Sequence, residues 1–193
     1  EKRVKEIAKL KKTKSLCFDT ETTGKDPIHD VLLGISFANS AGKAIYFQCP
    51  SEIDLRKIFI DDFRELFEDE GIEKIGHNLK FDLTVLHWFG LKVGGALFDT
   101  MLAHTLVFPD QKHSMDFVAE SMLGYSPISF NSLIDDQEDE GQLSLIGTTI
   151  SEVDTNKLAE YAAEDADITF QISEKLRPLL KEKGQGKVFY DIE

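Results

Sequence analysis

Three short stretches carry residues that could do chemistry together. The first is Ser15–Gly24, SLCFDTETTG, where the apolar run Leu16-Cys17-Phe18 leads into two acids, Asp19 and Glu21. An apolar run of this length reads as a buried strand, and residues two apart on a strand face the same way. Two carboxylates projecting side by side from a strand end repel each other unless they share a proton or a cation. A site of hard oxygen ligands selects Mg²⁺ or Mn²⁺. The second stretch contains Asn78 and Asp82, and the third Tyr161 and Asp165. Each pair is spaced i, i+4 and so falls on one face of a helix. Around Asp165 stand Ala162, Ala163 and Ala166, which let a helix approach a sheet closely and leave an acid poorly solvated.

The flanking sequence predicts elements able to bring these stretches together. Glu1–Lys14 reads as an amphipathic lead-in helix, Leu16–Thr20 as a first strand, Val31–Ala38 as a second and Lys43–Gln48 as a third, joined by turns at Asp26-Pro27 and Gly42 into an antiparallel meander. Asp54–Glu68 has apolar residues at helical spacing. Glu73–Gly76 reads as a short strand, His77–Phe89 as a helix closed by Gly90, and Val93–Phe98 as a fifth strand. Asp99-Thr100 caps a helix to Val107, and Ser114 caps another to Leu123. A long helix, capped by Ser151 or Thr155, runs towards Leu179. The acidic run Asp135–Glu140 between them reads as a solvated loop. Strands followed by helices alternating with short strands give an α/β domain with a mixed central sheet.

Composition narrows the class. The 193 residues are 41% hydrophobic and 30% charged, which suits one globular domain with a real core. No apolar run approaches the ~20 residues that cross a bilayer, and the charged start has no signal-peptide core. Cys17 and Cys49 lie in apolar runs without metal-ligand spacing and read as reduced core thiols. His77, His87, His104 and His113 form no metal set and read as capping or surface residues. The net charge of −13 suits a cation-binding protein and argues against autonomous tight binding to a phosphate backbone.

FDTETTG, GHNLKFDLTVL and YAAEDADIT resemble, in order, the three motifs of the DEDDy 3′–5′ exonucleases. The similarity is closest to the proofreading domain of bacterial DNA polymerase I, a family A polymerase. FDTMLAHTL, SMDFVAESML, ISF at 128–130 and the terminal FYDIE resemble the same family in the same order. The resemblance implies a ribonuclease-H-like (DnaQ-like exonuclease) fold, an α/β domain whose five-stranded mixed sheet is flanked by helices. It implies that Asp19, Glu21 and Asp165 hold one metal ion, that Asp19 bridges to a second, and that Asp82 contributes there. Tyr161 orients the attacking water, and Thr22, Asn78, Phe81 and Phe130 contact the terminal nucleotides. One departure is Lys25, where the family often places an apolar wedge.

The resulting expectation is a two-metal-ion exonuclease, using Mg²⁺ with Mn²⁺ or Zn²⁺ able to substitute. It would release nucleoside monophosphates from single-stranded or frayed 3′ ends of DNA. Two cations ~3.5–4 Å apart stabilise both the attacking and the leaving oxygen of an in-line displacement. Residues 1–193 are expected to be a single domain excised from a longer polymerase chain, with 1–14 a lead-in helix and 184–193 the start of a linker to the polymerase domain. A monomeric, cytoplasmic, nucleoid-associated bacterial protein is expected. The alternatives are an idle structural domain supporting a polymerase, which would be expected to lose its acids, and a ribonuclease D-like RNA-trimming enzyme.

Overall fold

A computed structural model describes residues 2–130, 133 and 154–191. The strands are β1 (Ser15–Thr22), β2 (Leu32–Ala38), β3 (Ala44–Gln48), β4 (Glu73–Gly76) and β5 (Leu97–Asp99). The helices are α1 (Lys2–Leu10), α2 (Ile53–Glu68), α3 (Leu79–Trp88), α4 (Thr100–Val107), α5 (Met115–Leu123), α6 (Thr155–Glu182) and α7 (Gly186–Asp191). The sheet order is β3-β2-β1-β4-β5. β1, β2 and β3 form the expected antiparallel meander, while β4 and β5 join in parallel. The mixed five-stranded sheet flanked by helices is therefore as expected.

Alternation along β1 divides the core. Leu16 and Phe18 face one way, into a cluster with residues of α1, α2 and α3. Cys17 faces the other way, with Ala38 and Ile75, into a cluster built with α4, α5, α6 and α7. Both cysteines are buried and free. Lys74 is wholly buried in β4, yet its ammonium donates to the carbonyls of Asp69 and Gly94 and so stays satisfied.

Several boundaries differ from the sequence expectation. The fifth strand is only Leu97–Asp99. The long helix is capped neither by Ser151, which lies outside the described residues, nor by Thr155, but by Asp154, whose carboxylate accepts from the N–H groups of Asn156 and Lys157. It also runs through Pro178 to Glu182. Ser114 occupies the N-cap position of α5, but its side chain makes no cap hydrogen bond. The acidic run 135–140 lies outside the described residues. Among the described residues, no helix is long and apolar enough to cross a membrane.

Candidate active site

β1 ends in the acids, and its register against β2 shifts between Glu21 and Thr22. Asp19 and Glu21 lie on the face over which α6 packs, with Asp19 partly exposed and Glu21 buried. Ala162 and Ala166 on α6 are fully buried. Their small side chains bring the helix near enough for the short carboxylate of Asp165 to reach the strand. Ligand oxygens of Asp19, Glu21 and Asp165 all lie within 4.8 Å of one another. The Asp19 and Glu21 carboxyls are near enough to shift each other's ionisation, as are the Tyr161 hydroxyl and Asp165 one turn apart on α6.

Asp82 arrives from the opposite side of the sheet. It lies in the first turn of α3, which packs on the Phe18 face, and it stands outside the group of three. Its Oδ1 accepts from both the N–H and the hydroxyl of Thr20, at 3.0 and 2.5 Å. The turn from β4 into α3 has no room for a side chain at Gly76, where a Cβ would sit 2.4 Å from Leu79 Cδ2. Asn78 follows in the left-handed conformation (φ 63°), so it is the N-cap residue and lies outside the helix that carries Asp82. The reading of Asn78 and Asp82 as one helix face is thus corrected. Asp99 makes the turn possible. Its carboxylate accepts from the N–H groups of Asn78, Leu79, Met101 and Leu102, tying the starts of α3 and α4 together. It acts as the buried cap expected from the sequence.

Burial and crowding set the charge state. Desolvation and the neighbouring Asp82 and Glu21 hold the Asp19 carboxyl well above the usual carboxylate range. Desolvation, then Asp165, pushes Glu21 up to about 8. Burial raises Asp82 to about 7 against the opposing pull of the Thr20 donors. Burial raises Asp165 to about 7 although the Tyr161 hydroxyl favours its ionised form. Among the described residues, none of these four acids takes part in an ion pair. Buried carboxylates short of positive charge fit a divalent cation, which supplies the missing charge and prefers oxygen ligands. This cluster could hold a metal ion.

The remaining candidates fall around the cluster. Thr22 is buried at the strand end, with its hydroxyl donating to the Gly24 carbonyl. Asn78 is exposed. Phe81 is partly buried against the core of its face. Phe130 is 40% exposed, and its ring stands edge-on to Tyr161 with centroids 6.1 Å apart. Lys25 is exposed. Two acids flanking Asp165 on α6 are occupied elsewhere. Asp167 accepts from Gly42 N–H and Gln171, and Glu164 accepts from the Tyr125 hydroxyl and Ile128 N–H.

The histidines correct a sequence reading. His104 is not a surface residue: it is fully buried, 2.8 Å from His113 through their Nδ1 atoms. His77 bridges the Thr100 hydroxyl and the His113 carbonyl. Two further residues, Thr20 and Tyr46, stand near the acids. Thr20 was signalled by alternation, since the residue between two same-face acids points to the other face. Tyr46 had no local signal. Its ring fills the place of a side chain at Gly34, the residue opposite Glu21 in the ladder, where a Cβ would sit 2.2 Å from the Tyr46 oxygen.

Residues 2–181 match the 3′–5′ exonuclease family. DNA polymerase I of Borreliella burgdorferi is 34% identical over 190 residues, which cover 97% of this chain but 20% of that polymerase. Among solved structures, Brucella melitensis NrnC superposes with a TM-score of 0.69 at 23% identity, covering 94% of this chain and 80% of that one. NrnC is known with bound Mg²⁺ and bound to pGG. Escherichia coli RNase D, an exoribonuclease, superposes with a TM-score of 0.71 at 18% identity, covering 98% and 46%. Likeness at these identities shows the shared fold.

Proposed function

The chain belongs to the 3′–5′ exonuclease family, and from that membership we propose that it is a magnesium-dependent nuclease removing nucleoside monophosphates from single-stranded or frayed 3′ ends of DNA. The observation carrying this reading is the convergence of Asp19, Glu21 and Asp165 within 4.8 Å, beside Tyr161. In it, Asp19, Glu21 and Asp165 hold one cation, and Asp19 and Asp82 serve a second. Bound Mg²⁺ supplies charge neutralisation at the phosphate and makes hydroxide available near neutral pH.

The chain's own groups do the rest. Four acids offset the cations and leave the site receptive to one phosphate. Burial and the adjacent carboxylates hold the Tyr161 hydroxyl above its ordinary pKa, so it stays protonated and aligns the attacking water without acting as its base. Phe130 offers a face on which a terminal base stacks, worth ~1–3 kcal/mol per base. Thr22, Asn78 and Phe81 line the approach of the terminal nucleotides. With a net charge of −13, the domain takes only the frayed end, and a polymerase domain in the same polypeptide supplies most of the affinity for DNA. The 20% share of the Borreliella polymerase that this chain spans supports that arrangement.

The test uses 3′-labelled single strands of DNA and of RNA with Mg²⁺. The expected result is mononucleotide release from DNA, abolished in the Asp19→Ala, Glu21→Ala double variant. Wild type no more active than that variant would mark an idle supporting domain. Preferential RNA trimming would favour the second reading, which the structural likeness to RNase D supports.

A further inference from the structure

We propose that Thr20 is a positioning residue, whose hydroxyl and N–H hold the Asp82 carboxylate at the site from the far side of β1. The inference rests on the reading that these acids bind divalent cations. β4 pairs with β1 only along Ser15–Cys17 and ends at Gly76. Thr20 therefore lies past the end of that ladder, and its N–H finds Asp82 Oδ1 where a strand carbonyl would otherwise stand. The hydroxyl of the same residue donates to the same oxygen. Thr20 and Asp82 are 6% and 3% exposed, so water does not replace either donor readily.

The consequence is a division of labour along three consecutive residues. Asp19 and Glu21 meet Asp165 directly on one face. Thr20, between them, reaches the other face and fixes the fourth acid to the same strand. One short segment thereby sets the spacing of all four carboxylates, although two of them come from helices on opposite sides of the sheet. Two donors on Oδ1 also orient Asp82, because a carboxylate with one oxygen pinned twice presents the other in a fixed direction. Partners that orient a ligand in this way change metal affinity or activity by roughly 10–100-fold when removed.

Thr20→Val keeps the shape and the N–H but deletes the hydroxyl, and Thr20→Ser keeps the hydroxyl. Mn²⁺ titration calorimetry on the 193-residue chain is expected to show cation affinity weakened roughly 10-fold or more in Thr20→Val and restored in Thr20→Ser. Nuclease activity at saturating Mg²⁺ is expected to fall in parallel. In an Asp82→Asn background, Thr20→Val is expected to add no further loss, since it works through Asp82. Wild-type titration in Thr20→Val, equal defects in the Val and Ser variants, or additive losses in the double variant would each overturn the proposal. So would loss of cooperative melting in Thr20→Val, which would make the hydroxyl a folding requirement. If wild type cleaves no nucleic acid, the functional reading fails while the Mn²⁺ titrations still decide the role of Thr20.

Discussion

The two faces of the sheet are packed differently. On the Phe18 face, Phe37, Phe47, Phe59, Phe63 and Phe67 interlock with ring centroids 5.0–6.5 Å apart, and large side chains set the distance of α2. On the Cys17 face, Ala38, Ala103, Ala119 and Ala166 sit among larger residues that include Phe98, Phe170 and Phe189, and Ala166 lies on α6 beside Asp165. Bulky aromatics bury much apolar area and make a core that mainly stabilises. Alanines bury less but bring a helix backbone close to the strands. The difference shows which face can place a short carboxylate from a helix beside acids on a strand, and it is the face carrying Asp165. The other face brings Asp82 to the site only at the sheet end, where β4 has stopped and Thr20 meets it.

The strongest way to break this comparison is at Asp165 itself. Asp165→Asn is expected to lower mononucleotide release ~10³-fold, about 4 kcal/mol of transition-state stabilisation. Because it replaces one ionised member of four crowded carboxyls with a neutral amide, it is also expected to raise the melting temperature of the metal-free chain at pH 8. The rise should be roughly 2–4 °C, the effect of about 1 kcal/mol at this length. A falling melting temperature would mean the acids do not repel.

Next come matched substitutions on the two faces. Ala166→Leu overpacks the close face, costing about 1–3 kcal/mol of stability. It is expected to displace α6 enough to cut activity ~10²-fold, as ~1 Å misplacements do. Phe63→Ala empties the aromatic face and costs about 3–5 kcal/mol in urea unfolding, while the folded fraction should keep activity within about 2-fold of wild type (an order-of-magnitude expectation for a site left in place). Equal activity losses would show that the two faces do not differ in how they position the site.

A smaller effect separates the site from the histidine cluster by pH. Carboxyls raised in the fold contribute stability that is full below their unfolded values, and it is lost as pH rises through about 7 for Asp82 and Asp165 and about 8 for Glu21. His104 has the opposite sign. Burial and the neighbouring His113 lower it to about 4, so its contribution is present above pH 6.5 and is lost as pH falls towards 4. Three raised carboxyls lose stability together from their unfolded values upward while His104 alone gains over part of that range, so the melting temperature of the metal-free chain should fall as pH rises from about 5 to about 8. Mg²⁺ should lift the alkaline side selectively, because cation binding displaces the same protons. A cation effect equally large at pH 5 and pH 8 would contradict this assignment.

Much of this arrangement was legible in local sequence. Alternation placed Asp19 and Glu21 on one face of β1, and helical spacing placed Tyr161 with Asp165, because both periodicities are properties of a few consecutive residues. Turn residues likewise predicted the meander of β1, β2 and β3. Tertiary structure alone decided which sheet face each helix covers, and hence that Asp82 and Asp165 approach from opposite sides. It decided that Asn78 leaves the helix for the left-handed region, since the constraint comes from Asp99, twenty-one residues away in sequence. It buried His104 and gave Tyr46 the space opposite Glu21. The physical reason is common to these cases. Periodicity fixes where a side chain points relative to its own backbone, while the identity of what it meets depends on long-range packing that no local pattern encodes.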